Sequence, residues 1–314
     1  MRAAVTTLLL ALSAPLALAW PDKPMRVVVP YPPGGPSDIV LRTVIEKIQP
    51  VLKQPLVLEN KPGASGNLGA GEAARAAPDG HTWFFATDAV VTINPHVYAK
   101  LPFKVDDFVP VVLTSSFSQT LVCNPALGAK TLADFVKLAK ASPLSYASGG
   151  AGAPGHLAME LLLSSAGIEL QHIPYKGPAP AMQDVIGGQV PCGFLAGPTV
   201  APHVKSGRLV ALAVSGTQRS PVLPEVPTVA EAGYPGYDAS FLLALFAPRG
   251  TPQAIVDAMN KAVVEALRQP DVAAKLQATD QSIVASTPAT AATTLGAISR
   301  KWAVVAKRIG LSLD

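Results

Sequence analysis

Two cysteines, Cys123 and Cys192, are all that the 314 residues contain. A disulfide scaffold and a cysteine-built metal centre are therefore excluded. Both lie in apolar segments, where two buried free thiols are the expectation. An exported compartment would permit one bridge, but only at a Cα separation of roughly 4.4 to 6.8 Å, which chain spacing does not reveal. Charge is scarce as well: Asp, Glu, Lys and Arg make up 15% of the chain, and the net charge is +4 with a pI near 9.0. The basic residues form no run or stripe, which argues against nucleic acid as a partner. The small excess reads as a solvated basic surface that at most assists the approach of anions. Beyond residue 18, no apolar run approaches the roughly 20 residues of a membrane span without glycine, proline or charge.

Catalytic signatures are missing too. There is no Gly-x-Ser-x-Gly elbow, Ser-x-x-Lys pair, His-Glu-x-x-His helix or phosphate loop ending in Gly-Lys-Ser/Thr. The five histidines have no ligand-like spacing, so no metal site is expected. An exported hydrolase would need a nucleophile beside a base, and Ser148 near His156 is the only candidate pair. No internal repeat and no low-complexity segment is present.

The chain does hold a core-forming composition. Hydrophobic residues reach 49% with a mean hydropathy of +0.33, while 31 prolines and 25 glycines imply many sharp connections. A single charge at Arg2, an apolar run over 5–18 and Ala17-Leu-Ala19 form a secretory signal cleaved after Ala19, with no cysteine after it for a lipid anchor. The remaining residues exceed one typical domain, so two are expected. Strands over 26–30 and 56–59, each followed by a helix, give the βαβ pattern of a parallel sheet. The first helix carries an apolar stripe at Val40, Val44, Ile48 and Val51. A buried strand over 81–86 ends at Thr87 and Asp88. The stretches 111–124 and 240–248 read as strands that leave one sheet and enter another. Between them, helices at 131–141, 156–166, 180–187 and 199–206 alternate with strands at 144–147, 170–175, 190–196 and 209–215. Thr251 and Pro252 then cap a helix striped by Ile255, Met259, Val263 and Leu267.

Two glycine- and proline-rich turns each join a strand to a helix: Tyr31-Pro-Pro-Gly-Gly-Pro-Ser-Asp38 and Ser148-Gly-Gly-Ala-Gly-Ala-Pro-Gly-His156. Both bring unpaired backbone N–H groups, with about half a positive charge, to a helix N-terminus, which suits an anion. In the first turn Ser37 is a good N-cap and Asp38 a favourable first-turn acid. The second contains a literal Gly-x-Gly-x-x-Gly at 150–155, but no acidic residue ends the next strand, so a dinucleotide site is declined.

These turns, with Glu59-Asn-Lys-Pro-Gly-Ala-Ser-Gly-Asn67, Ala77-Pro-Asp-Gly80, Ile93-Asn-Pro95 with Tyr98, Leu101-Pro102, Tyr175-Lys-Gly177, Pro202-His-Val-Lys-Ser-Gly207 and Val226-Pro-Thr-Val-Ala-Glu-Ala-Gly-Tyr-Pro-Gly236, carry a resemblance. The chain resembles the Bug-type substrate-binding receptors of tripartite tricarboxylate transporters. The resemblance implies an α/β type II periplasmic binding protein fold, with two α/β lobes joined by two crossover strands and a ligand cleft between them. Lobe 1 would comprise 20–119 and 245–314, and lobe 2 would comprise 120–244. It further implies a periplasmic, non-enzymatic and monomeric receptor with no cofactor, which delivers a small carboxylate to membrane permease subunits or, alternatively, presents its closed form to a sensor kinase. Carried onto this chain, the ligand-binding residues would be Tyr31, Pro33, Gly34, Gly35, Ser37, Asp38, Thr87, Asp88, Ser148, Gly149, Gly152, Ala153, His156, Tyr175, Phe194 and Leu195. Ala153 stands where relatives often have a hydroxyl, and Leu195 where an acid is common. Both losses point to a non-amino-acid carboxylate with an apolar or aromatic body. The segment Phe241-Leu-Leu-Ala244 lacks a tryptophan that many relatives carry, which bears on pocket size.

Overall fold

Proline and glycine punctuate the chain into short elements, and a computed structural model describes residues 20–313 of it. The expected signal segment 1–19 lies outside the described residues. The chain runs β1 (Met25–Val29), α1 (Pro36–Leu52), β2 (Leu56–Asn60), α2 (Asn67–Ala74), β3 (Thr82–Thr87), the one-turn α3 (Ala89–Thr92) and α4 (Asn94–Val97), then β4 (Phe108–Phe117). It continues through β5 (Gln119–Cys123), α5 (Leu132–Ala141), β6 (Leu144–Ser148), α6 (Pro154–Ala166), β7 (Leu170–Pro174), α7 (Pro178–Ile186), β8 (Cys192–Ala196), α8 (Gly197–Lys205) and β9 (Val210–Val214). The final part holds β10 (Phe241–Pro248), α9 (Gln253–Leu267), α10 (Pro270–Ala278), β11 (Ser282–Ile283) and α11 (Pro288–Ile309).

Two mixed sheets define two α/β lobes. The larger has the order β11-β4-β10-β3-β1-β2, and the smaller β7-β6-β8-β5-β9. Every residue of β3 is buried, as a strand covered on both faces must be. Trp83 and Phe85 face one way, onto Val40, Leu41, Val44 and Ile48 of α1 and Met259 and Val263 of α9. Phe84 faces the other, onto Phe108, Phe246 and Leu295. The α1 stripe turns through Leu41 rather than Val51, which is 63% exposed. On α9 the buried face includes Val256, and Pro252 is the N-cap. The Thr251 hydroxyl donates to the Pro248 carbonyl instead of capping, which corrects the expected cap.

The first expected crossover stands: β4 lies in the larger sheet, β5 in the smaller, and only Ser118 separates them. The second is corrected, because β10 stays wholly in the larger sheet between β3 and β4. Phe241 to Ala244 therefore belong with lobe 1 by sheet membership, and residues 215–240 make the return. Ser215 stitches the two crossings together. Its fully buried hydroxyl accepts from the Gln119 N–H at 2.9 Å and donates to the Ala239 carbonyl at 2.9 Å. Among the described residues, no helix is long and apolar enough to cross a membrane.

Candidate ligand-binding site

Between the lobes lies a cavity of about 440 Å³. Its first wall is the β1–α1 turn. Gly34 adopts φ +86°, which only glycine reaches without strain, and Gly35 is the N-cap with Pro36 at the first helical position. Ser37 is therefore inside the helix, not its cap, and no side chain caps α1. The N–H groups of Ser37 and Asp38 are left without intrahelical acceptors. Asp38 Oδ2 accepts from the Gly34 N–H at 3.2 Å and from Arg42 Nε at 2.9 Å. Burial works to raise this carboxyl, but the hydrogen bonds outweigh it and hold it below the usual range. Behind the turn, Tyr31 Oη and Thr87 Oγ1 are 2.6 Å apart, and burial pushes the phenol up to about 12.

The facing wall is the β6–α6 turn. Gly150 and Gly152 adopt φ +136° and +73°, Ala153 is the N-cap, and Pro154 follows it. A Cβ on Gly155 would lie 2.1 Å from the Phe194 carbonyl oxygen, so only glycine lets the α6 start press against the end of β8. The turn is braced from behind by a stack of rings. His156 and His172 are 4.0 Å apart and 6° from parallel, and Tyr146 covers His172 at 4.8 Å. His156 Nδ1 accepts the Gly152 N–H at 2.9 Å, and Ser148 Oγ lies 2.7 Å from His172 Nε2. Burial depresses both imidazoles, His156 to about 3 with help from His172, and His172 to about 4, so both are neutral props. Ser148 thus pairs with His172 rather than with His156. It is fully buried.

Two further helices start at the cavity. Gly177 caps α7 ahead of Pro178, and Ala196 caps α8 ahead of Gly197 and Pro198, again with no side-chain cap. All four N-caps, Gly35, Ala153, Gly177 and Ala196, line the cavity. The sequence reading began these two helices at 180 and 199, although proline in a first turn was available as a marker for the earlier start. The α8 start faces a carboxylate from lobe 1. Asp280 Oδ1 accepts from the Ser220 hydroxyl at 2.7 Å, and its buried Oδ2 lies against Gly197 without a hydrogen-bond partner. At the opposite rim the Ser65 hydroxyl donates to the Ala151 carbonyl, a second bridge between lobes.

Of the expected ligand residues, Tyr31, Pro33, Gly34, Gly35, Ser37, Asp38, Thr87, Gly149, Ala153, Phe194 and Leu195 line the cavity. The other five do not. Ser148 and His156 brace the second turn, Gly152 faces Ser65 and Leu313, and the Tyr175 hydroxyl donates to Asp184 at 2.5 Å. Asp88 lies fully buried below the cavity floor, where its Oδ1 accepts the Leu242 N–H at 2.8 Å, and burial raises it to about 6. Sequence reading missed Phe117, Gln119, Met182 and Thr199 on the walls, and Lys176. Lys176 is the one cationic side chain among the lining residues and is exposed at the mouth.

A two-lobed α/β protein with a cleft of this kind between its sheets has the architecture of periplasmic solute-binding proteins. The chain belongs to the receptor family of tripartite tricarboxylate transporters: residues 40–311 match the model described as "Tripartite tricarboxylate transporter family receptor". Receptors of this family bind small carboxylates and work with membrane transporters. BugT of Bordetella pertussis is 34% identical over 307 residues, which cover 96% of this chain and 94% of BugT. Among solved structures, the periplasmic binding protein BugD is 30% identical with a TM-score of 0.85, covering 93% of this chain and 99% of BugD. Rpa4515 of R. palustris, solved with adipate, is 31% identical with a TM-score of 0.87, covering 93% and 99%. MatC of Rhodopseudomonas palustris, solved with bound malate, is 31% identical with a TM-score of 0.82, covering 91% and 99%.

Proposed function

We propose that this protein is an exported receptor, freed of residues 1–19, that closes as a monomer on a small carboxylate with an apolar or aromatic body and passes it to a membrane permease. The observation that carries this reading is the convergence of four helix N-termini without side-chain caps on one cavity whose walls are largely proline, Phe117, Phe194, Leu195 and Met182. Unpaired N–H donors suit the carboxylate, and the apolar walls suit the rest. Charge-assisted hydrogen bonds contribute roughly 1.5–3 kcal/mol each, so a few of them offset the entropy of binding without a buried cation. Adipate and malate in the two R. palustris relatives support the ligand class.

In this reading the eleven cavity-lining residues named above meet the ligand, and Asp88, Ser148, Gly152, His156 and Tyr175 hold them in place. Tyr31, Asp38 and Thr87 come from lobe 1, whereas Gly149, Ala153 and Phe194 come from lobe 2. A ligand touching both lobes favours the closed form, so binding shifts an open–closed equilibrium. Mass spectrometry of the co-purifying compound, followed by a thermal-shift panel, tests the ligand class. Aliphatic or aromatic acids should raise Tm. Tight binding of aspartate or glutamate with no response to those acids overturns the reading. Small-angle scattering should contract on ligand addition, and an unchanged profile argues against closure.

A further inference from the structure

The chain's only two cysteines face each other. Cys123 ends β5 and Cys192 opens β8, and the antiparallel register pairs them directly. The adjoining pair, Asn124 with Pro191, is a hydrogen-bonded one, since the Asn124 N–H donates to the Pro191 carbonyl at 2.9 Å. Antiparallel ladders alternate, so Cys123 and Cys192 occupy a non-hydrogen-bonded position, where Cα atoms stand about 4.5 Å apart and both side chains share a face. That separation falls inside the roughly 4.4–6.8 Å range that disulfides need, at its short end. Both side chains are fully buried in the cluster that holds Phe135 of α5, Tyr146 of β6 and Leu157 of α6. Burial and the neighbouring Cys123 push the Cys192 thiol well up, and the burial of both residues keeps an oxidant from reaching them in the finished fold.

We propose that Cys123 and Cys192 are joined as a disulfide while the chain folds in an oxidising compartment, before helix packing covers the pair. Each thiol gives up its proton, the two sulfurs bond, and the two electrons pass to the disulfide of a protein thiol oxidant, which is left as a dithiol. The bond ties β5, which follows the crossing at Ser118, to β8, which carries Phe194, Leu195 and the α8 N-cap Ala196 to the cleft. It closes a loop of about 70 residues and so restricts the unfolded chain most. The inference rests on strand register and on the export proposed above but not on the ligand, and because the test itself directs the chain to a periplasm, failure of the disulfide and failure of the ligand reading are distinguishable.

The test is peptide mapping of the full chain directed to a bacterial periplasm, purified without reductant, unfolded with excess iodoacetamide and digested with trypsin. Residues 105–130 and 177–205, each bounded by lysine, should travel as one species and separate only after reduction. Recovery of both as separate alkylated peptides without reduction overturns the proposal. The double variant Cys123→Val/Cys192→Val supplies a control for packing. Reduction should lower the wild-type Tm by roughly 5 °C or more and leave the double variant unmoved. A wild-type Tm that ignores reduction also overturns it.

Discussion

The β1–α1 turn and the β6–α6 turn both deliver a proline-started helix end to the cleft, yet they are braced by different chemistry. The first is held by a charge: Asp38 takes the Gly34 N–H and pairs with Arg42, whose side chain is 56% exposed. The second is held by neutral rings, with His156 accepting the Gly152 N–H inside a stack that excludes water. A charged brace near solvent is adjustable and weak, because water and salt screen it. A buried neutral brace is stiff, and its removal leaves both a void and an unpaired donor. The two walls of one cleft should therefore fail differently.

The largest contrast is expected from His156→Ala, which removes an acceptor and a stacked ring. It should lower the unfolding free energy by about 2–4 kcal/mol in denaturant titration and weaken carboxylate binding. His156→Asn, whose side-chain oxygen can take the Gly152 N–H, should recover part of both losses. An unaltered unfolding midpoint in His156→Ala would erase the distinction between the turns.

Next comes pH. His156 and His172 titrate at about 3 and about 4 in the fold but near 6.5 when unfolded. The unfolded chain thus binds more protons below 6.5, and their contribution to stability is lost as pH falls from there toward 4. Asp88 in lobe 1 acts in the opposite sense. Its folded value of about 6 lies above the unfolded 3.8, so the fold binds more protons in that window and loses stability as pH rises through it. Melting curves from pH 4 to 8 should show Asp88→Asn steepening the decline on acidification. A variant with the wild-type profile would contradict that assignment.

Smaller effects belong to the charged brace. Asp38→Asn should cost less than about 1 kcal/mol of stability. It should also tighten carboxylate binding a few-fold at low salt, because a negative charge leaves the cleft wall. Denaturant titration reads the first effect and isothermal titration at two salt concentrations the second, and weaker binding would mean that Asp38 meets the ligand through its side chain rather than through its backbone N–H. Smallest of all, Lys176→Ala at the exposed mouth should leave Tm unchanged and slow association severalfold at low ionic strength. Stopped-flow rates with the same salt dependence in both proteins would remove that steering role.

Both turns, the alternation of the lobe 2 elements and the crossing near residue 118 were legible because glycine and proline set local backbone geometry directly. Tertiary partners were not. His172 meets Ser148 and His156 only because β6 and β7 run parallel with Tyr146 opposite His172, a register that no local spacing announces. Asp280 reaches Gly197 from the other lobe for the same reason. Ser37 has the residue type of an N-cap, but Pro36 already fits the first helical position and moves the cap back to Gly35. The strand 241–248 resembles a crossing in its apolar length, yet antiparallel pairing with both β3 and β4 keeps it in one sheet.

The Ser215 hydroxyl, shared between the outbound strand at Gln119 and the returning chain at Ala239, bears on how many ways the lobes can move. Two independent connectors would permit sliding and twisting as well as bending. Stitched at one buried atom, they share a single pivot, and sliding must first break two hydrogen bonds in a dry site. For the closure proposed above, that pivot would favour bending over sliding, so occupancy of the cleft would be reported as an angle, a quantity that a membrane transporter can read without touching the ligand.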